Sequence, residues 1–186
     1  MYLLLAISVA AVAVGIERLV FYKYATQDGE KFLNLLEEKM QTQTADEIAN
    51  FCYSEKNIFA KVAFAGILAI TRGKNVETAL ENSYIETAME LRKRLNYLSM
   101  TVTLAPLVGL LGTIFGMIKS FNIFSLQAGQ NLEITGGIGE ALTATAAGLC
   151  VAIFALIIHT YFAQKLDEIL SKVEQLINIL LTAELK

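Results

Sequence analysis

The sequence predicts an all-α, polytopic membrane protein whose three transmembrane helices extend into a cytoplasmic helical bundle. Three observations predict it. The 186 residues are 55% hydrophobic and 18% charged, a balance that soluble domains rarely show. Long charge-free runs alternate with stretches that hold nearly every Lys, Arg, Asp and Glu. There is one proline and no tryptophan, which suits a helical chain with few breaks.

The first apolar run, Met1 to Ile16, falls short of the roughly 20 residues that cross a bilayer. Leu19 to Tyr22 lengthen it, with Arg18 reaching the headgroups, so residues 1–22 are read as transmembrane helix 1. A cleaved signal peptide would need a basic leading segment and a small-residue cleavage site, and Gly15-Ile16-Glu17-Arg18 offers neither.

Residues 23–94 read as a cytoplasmic helical region. Phe32, Leu33, Leu36 and Met40 recur at helical spacing. The apolar stretch Ile58 to Ile70, interrupted by Lys61, is too short to span.

Residues 95–119 form transmembrane helix 2, residues 120–137 a periplasmic loop, and residues 138–162 transmembrane helix 3. Eleven basic residues lie between Glu17 and Tyr97, three lie beyond Ala163, and Ser120 to Gly137 has none. The positive-inside rule then puts the N-terminus outside and the long segment and tail in the cytoplasm.

Residues 163–186 read as a cytoplasmic amphipathic helix continuing the third span. Leu166, Ile169, Leu170, Val173, Leu176, Ile177 and Leu180 make one apolar stripe. From Ile138 to Leu185 the helix would measure about 70 Å, more than twice the bilayer core. Its stripe needs a protein surface to bury against.

Small and hydroxylated residues mark the inner faces of the last two spans. Ser99, Thr103, Pro106, Gly109, Thr113, Met117 and Ser120 follow one another at intervals of three and four, with Gly112 and Gly116 alongside. In the third span Ala141, Thr145, Gly148, Ala152 and Ala155 form a small-residue face opposite Leu142, Leu149, Ile153 and Leu156. Lipid supplies no hydrophobic force between helices, so small residues that admit close approach are the expected packing surface. Pro106, Gly109, Gly112, Gly116, Ala141, Gly148 and Ala152 are therefore the expected helix-packing positions.

Several polar groups in these spans admit two readings. Thr113 and Thr145 either bond the carbonyl four residues back or line an ion path. Glu140 is either salt-bridged, to Lys119 for instance, or part of that path, because a carboxyl near the membrane needs a partner, a proton or water. His159 reads as a polar interface residue more readily than as a proton relay.

Cys52 and Cys150 lack metal or disulfide spacing, and Cys150 is expected to fill a helix interface. No metal site, cofactor fingerprint or catalytic set appears. Gly137-Ile138-Gly139 has no strand before it and no third glycine, which excludes a dinucleotide loop. The net charge of -3 offers no field for nucleic acid.

Two motifs make the chain recognisable. The stretch Ala105-Pro106-Leu107-Val108-Gly109-Leu110-Leu111-Gly112-Thr113-Ile114-Phe115-Gly116-Met117 is the first, and Gly139-Glu140-Ala141-Leu142-Thr143-Ala144-Thr145-Ala146-Ala147-Gly148-Leu149 is the second. Together they strongly resemble the ExbB/TolQ/MotA family of proton channels, and the likeness runs from Glu17-Arg18-Leu19 through Arg92-Lys93-Arg94-Leu95 to the third span.

With three spans the chain looks like the ExbB and TolQ branch. That resemblance implies an inner-membrane, non-enzymatic stator or motor subunit, a homopentamer around a dimer of single-pass ExbD- or TolR-like helices bearing a membrane aspartate. The task implied is conversion of the proton or sodium motive force into work for transport across, or maintenance of, the outer envelope, with a TonB- or TolA-like protein as a further partner. By the same resemblance the hydroxyls of Thr113 and Thr145 face the pore and Glu140 is the acidic position opening the third span. Phe154 departs from the proline that many members carry there. The alternatives are a passive membrane scaffold for helix-helix assembly and a motility stator subunit.

Overall fold

A computed structural model describes residues 2–126 and 131–182. Among them the chain forms seven helices and no strand: α1 (Tyr2–Ala25), α2 (Gly29–Thr42), α3 (Ala45–Ser54), α4 (Ile58–Thr71), α5 (Val76–Arg92), α6 (Leu95–Leu126) and α7 (Asn131–Thr182). Of the segment expected as a loop, 120–126 continues α6, 131–137 opens α7, and 127–130 lies outside the described residues. The end of the expected C-terminal helix, 183–186, lies outside them as well.

Three helical stretches are long and apolar enough to cross a membrane: within Tyr2–Thr42, Leu95–Asn122 and Thr135–Thr182. Only 22%, 11% and 22% of their most apolar windows is buried within the protomer. A soluble protein could not leave that much apolar surface in water. The chain is a multi-pass membrane protein.

The chain divides into two compact units, one of Met1–Glu17 with Arg94–Phe162 and one of Arg18–Lys93 with Ala163–Lys186. In the first unit α6 and α7 meet along glycine and alanine. A Cβ on Gly148 would stand 2.6 Å from the Ala105 carbonyl oxygen and 3.0 Å from Gly109 Cα. One on Gly112 would stand 2.8 Å from Ala144 Cβ, and one on Gly116 2.7 Å from Ala141 Cβ. This backbone-to-backbone approach is what small residues permit in lipid. Leu4, Ala105 and Ala152 close the seam, with Val108, Ala147 and Val151 packed around them.

The second unit is a helical bundle in which α4 packs against α2, α3 and α5. The apolar stretch that is too short to span is its centre. Phe59, Ala60, Val62, Ala63 and Ile67 are buried, while Lys61 points outward to Glu86 at 3.0 Å and Glu90 at 3.5 Å.

Helix starts are capped from the sequence. Asn57 accepts from Ala60 N at 2.8 Å, Asn75 from Thr78 N at 2.9 Å. Glu47 takes the Thr44 amide and hydroxyl, each at 3.0 Å, and these hydrogen bonds hold its carboxyl below the usual range.

The amphipathic end of α7 buries Leu166, Ile169, Leu170, Val173, Leu176 and Leu180, with Ile177 half-buried. Within the same unit, Tyr22 donates to the Leu91 carbonyl at 2.9 Å, Tyr84 donates to Glu174 at 2.7 Å, and Lys172 pairs with Glu30 at 2.8 Å.

Candidate functional site

The seam between α6 and α7 brings together residues that the sequence holds far apart. Gly109 and Gly148 are both buried, and their mutual approach sets the register of the two helices. Thr113, one turn beyond Gly109, and Thr145, one turn before Gly148, are thereby brought face to face.

Their hydroxyls hydrogen-bond one another. Each also lies 3.2 Å from the Gly109 carbonyl oxygen, to which either can donate. Thr113 satisfies the carbonyl four residues back, as one of its two readings expects. Among the described residues the carbonyl that Thr145 reaches is not one of its own helix but that of Gly109 on α6.

Three oxygens in mutual contact share two hydroxyl protons, so one of the three contacts is always without a proton. Both threonines are half-buried. The cluster therefore sits at the edge of the seam and not sealed inside it.

The seven positions expected to pack differ in burial on the protomer. Gly109, Ala141, Gly148 and Ala152 are buried, and Pro106, Gly112 and Gly116 are half-buried. Pro106 lies inside α6 and lacks an amide, which releases the Val102 carbonyl from its intrahelical bond. Ser120, buried, donates to the Gly116 carbonyl at 3.0 Å.

At the start of the expected α6 stripe the protomer itself buries little. Ser99 and Thr103 are exposed, and the buried positions there are Leu95, Leu98 and Ala105. Position 99 lies one residue, about 100°, and position 103 two residues, about 200°, from the nearest buried position.

Glu140 is exposed and lines an open groove of about 500 Å³ with Gly112, Phe115, Gly116, Lys119, Ala141, Thr143 and Ala144. Lys119 shares that groove, yet no ion pair joins it to Glu140 among the described residues. The salt bridge that would have explained Glu140 is absent.

His159 is half-buried, and Phe154 is exposed on the protomer. Cys150 is exposed as well, so it fills no interface within the chain. It lies on the side of α7 that carries Leu142, Leu149 and Ile153, which are also exposed. What the sequence could not reveal is the convergence on the Gly109 carbonyl. A backbone acceptor has no signature in a residue string.

Comparison with known proteins adds an independent line. The description of the matching family model is the MotA/TolQ/ExbB proton channel family, and the match covers residues 54–175, which include Thr113, Glu140 and Thr145. The putative biopolymer transport protein ExbB-like 3 of Synechocystis is 34% identical over 164 residues, covering 86% of this chain and 78% of that protein. The putative biopolymer transport protein ExbB homolog of Methanothermobacter thermautotrophicus is 25% identical over 175 residues, covering 93% of this chain and 62% of that protein. The biopolymer transport protein ExbB of Aquifex aeolicus is 40% identical over 94 residues, 49% of this chain and 64% of that protein. The match thus spans less than two thirds of the latter two. Spans, motifs and a family match over more than half of the sequence agree: this chain belongs to the MotA/TolQ/ExbB proton channel family.

Proposed function

We propose that this chain is the channel-forming subunit of an ion-driven motor of the ExbB and TolQ type in a bacterial inner membrane. Five copies surround a dimer of ExbD- or TolR-like helices, each bearing a membrane aspartate. The N-terminus and the 120–137 connection face the periplasm, and the 23–94 and 163–186 segments face the cytoplasm. Proton entry to the partner aspartate, followed by release on the other side, drives rotation or a conformational change that does work on the envelope, through a TonB- or TolA-like protein where one is present.

The observation that carries this reading is the pair of hydroxyls converging on the Gly109 carbonyl. A proton path needs groups that accept on one side and donate on the other, and a threonine hydroxyl does both without a stable charge in the bilayer. Two such hydroxyls with fewer protons than contacts can reorient in turn. Glu140, on the groove one to two turns away along α7, supplies an acidic entry to the same route.

The test is Thr145→Val and Thr113→Val against Thr145→Ser and Thr113→Ser, in cells whose energised envelope function depends on this gene and its partner. Valine keeps the shape and removes the hydroxyl; serine keeps the hydroxyl. Loss of function with valine and retention with serine is expected. Full function in both valine variants removes the threonines from the mechanism. A passive scaffold is separated by a protonophore, which leaves a scaffold's activity unchanged.

A further inference from the structure

The groove at the Glu140 end of the seam combines features that the hydroxyl cluster does not use. Its lining is mostly apolar and includes Phe115, Ala141 and Ala144. One cation, Lys119, and one anion, Glu140, line it without pairing with each other. Thr143 donates its proton to the Gly139 carbonyl at 2.8 Å, which leaves its oxygen lone pairs as acceptors one turn from the Glu140 carboxylate.

Lys119 lies near the end of the apolar stretch Leu95–Asn122 and Glu140 near the start of Thr135–Thr182, which on the proposed topology puts both close to the headgroups. A lone opposite-charge pair at that depth would lower its energy by closing on itself. Here each charge is left for a ligand.

We propose that this groove binds a phospholipid with a primary amine in its headgroup. The Lys119 ammonium donates to the phosphate. The Glu140 carboxylate and the Thr143 oxygen accept from the lipid ammonium, and one acyl chain lies along Phe115 over Ala141 and Ala144. The match is one of charge order: cation to phosphate and carboxylate to amine, with a mostly apolar lining between the helices. A trimethylated amine has no N–H to give Glu140 and Thr143, and a glycerol headgroup has no positive charge. A Glu140 carboxylate held by the lipid amine is not free to serve as the ion entry, so this inference leaves the route to the hydroxyl pair alone.

Native mass spectrometry of the purified full-length chain tests it, in detergent with equimolar phosphatidylethanolamine, phosphatidylcholine and phosphatidylglycerol. Charge-assisted hydrogen bonds to the amine should give phosphatidylethanolamine about a fivefold to tenfold advantage in retention. Lys119→Gln and Glu140→Gln, checked for retained helicity, should each abolish it. A series from the free amine through mono-, di- and trimethylated headgroups needs no mutation, and retention should fall as N–H donors are lost. Equal retention of the three lipids, a preference for phosphatidylglycerol, or an unchanged preference in the folded variants would each overturn the assignment.

Discussion

The hydroxyls of Thr113 and Thr145, thirty-two residues apart, hydrogen-bond each other while both reach the same carbonyl, that of Gly109. Each single replacement by valine removes one donor, with an expected cost of about 1 kcal/mol. The double replacement should cost less than the two together, with a coupling of about 0.5–1.5 kcal/mol, because they share one contact. Unfolding free energies of the four proteins in mixed micelles measure it; strict additivity would mean that the hydroxyls do not interact.

Gly148→Ala should loosen the seam. Its methyl group would meet the Ala105 carbonyl and the Gly109 backbone, neither of which can swing aside, and such overpacking costs about 1–3 kcal/mol. Gly139→Ala is the control, since nothing lies within 4 Å of the added carbon, and helix propensity gives at most about 1 kcal/mol in its favour. Thermal unfolding in detergent, run side by side, should shift downward for the first variant only.

Burial pushes the Cys52 thiol up to about 12, against an ordinary value of 9.0. The thiolate is the reactive form, so at neutral pH its fraction falls about a thousandfold. In a Cys150→Ala background, maleimide labelling should be negligible in the folded protein and rapid after denaturation. The linkage has a definite sign. Above pH 9 the unfolded state ionises this thiol while the folded state keeps its proton, so this group's contribution to stability is lost as pH rises from about 9 towards 12. Labelling of the native protein at the denatured rate would contradict the burial.

In the helical bundle, apolar contacts and surface charges should weigh very differently. Leu176 is 1% exposed, and Leu176→Ala should cost about 2–5 kcal/mol. Lys172 pairs with Glu30 at 2.8 Å, and this contact holds the Glu30 carboxyl below its usual range, yet Glu30 is 82% exposed. Exposed pairs are screened by water and salt. Lys172→Gln should leave the unfolding midpoint within error of the parent at moderate ionic strength. A large loss there would mean that the pair is shielded from water by a neighbouring copy or partner.

The helices, the three membrane spans and the two-sided character of the third are legible in residue order. Hydrophobic run length and residue spacing are local properties, and local properties decide which face of a helix must leave water or lipid. Leu166 to Leu180 recur on one face, and nearly all are buried; Ala141, Gly148 and Ala152 oppose Leu142, Leu149 and Ile153, and they divide as their sizes require. The tertiary structure alone decided what each face meets. Periodicity marks Gly109 and Gly148 as small but says nothing of which small residue lies opposite, and it is their contact that aligns Thr113 with Thr145. The same gap leaves open what Ser99, Thr103 and Cys150 meet, since all three are exposed on the single protomer. Register between two helices is a property of the pair, set by where two backbones come closest, and no single helix carries it.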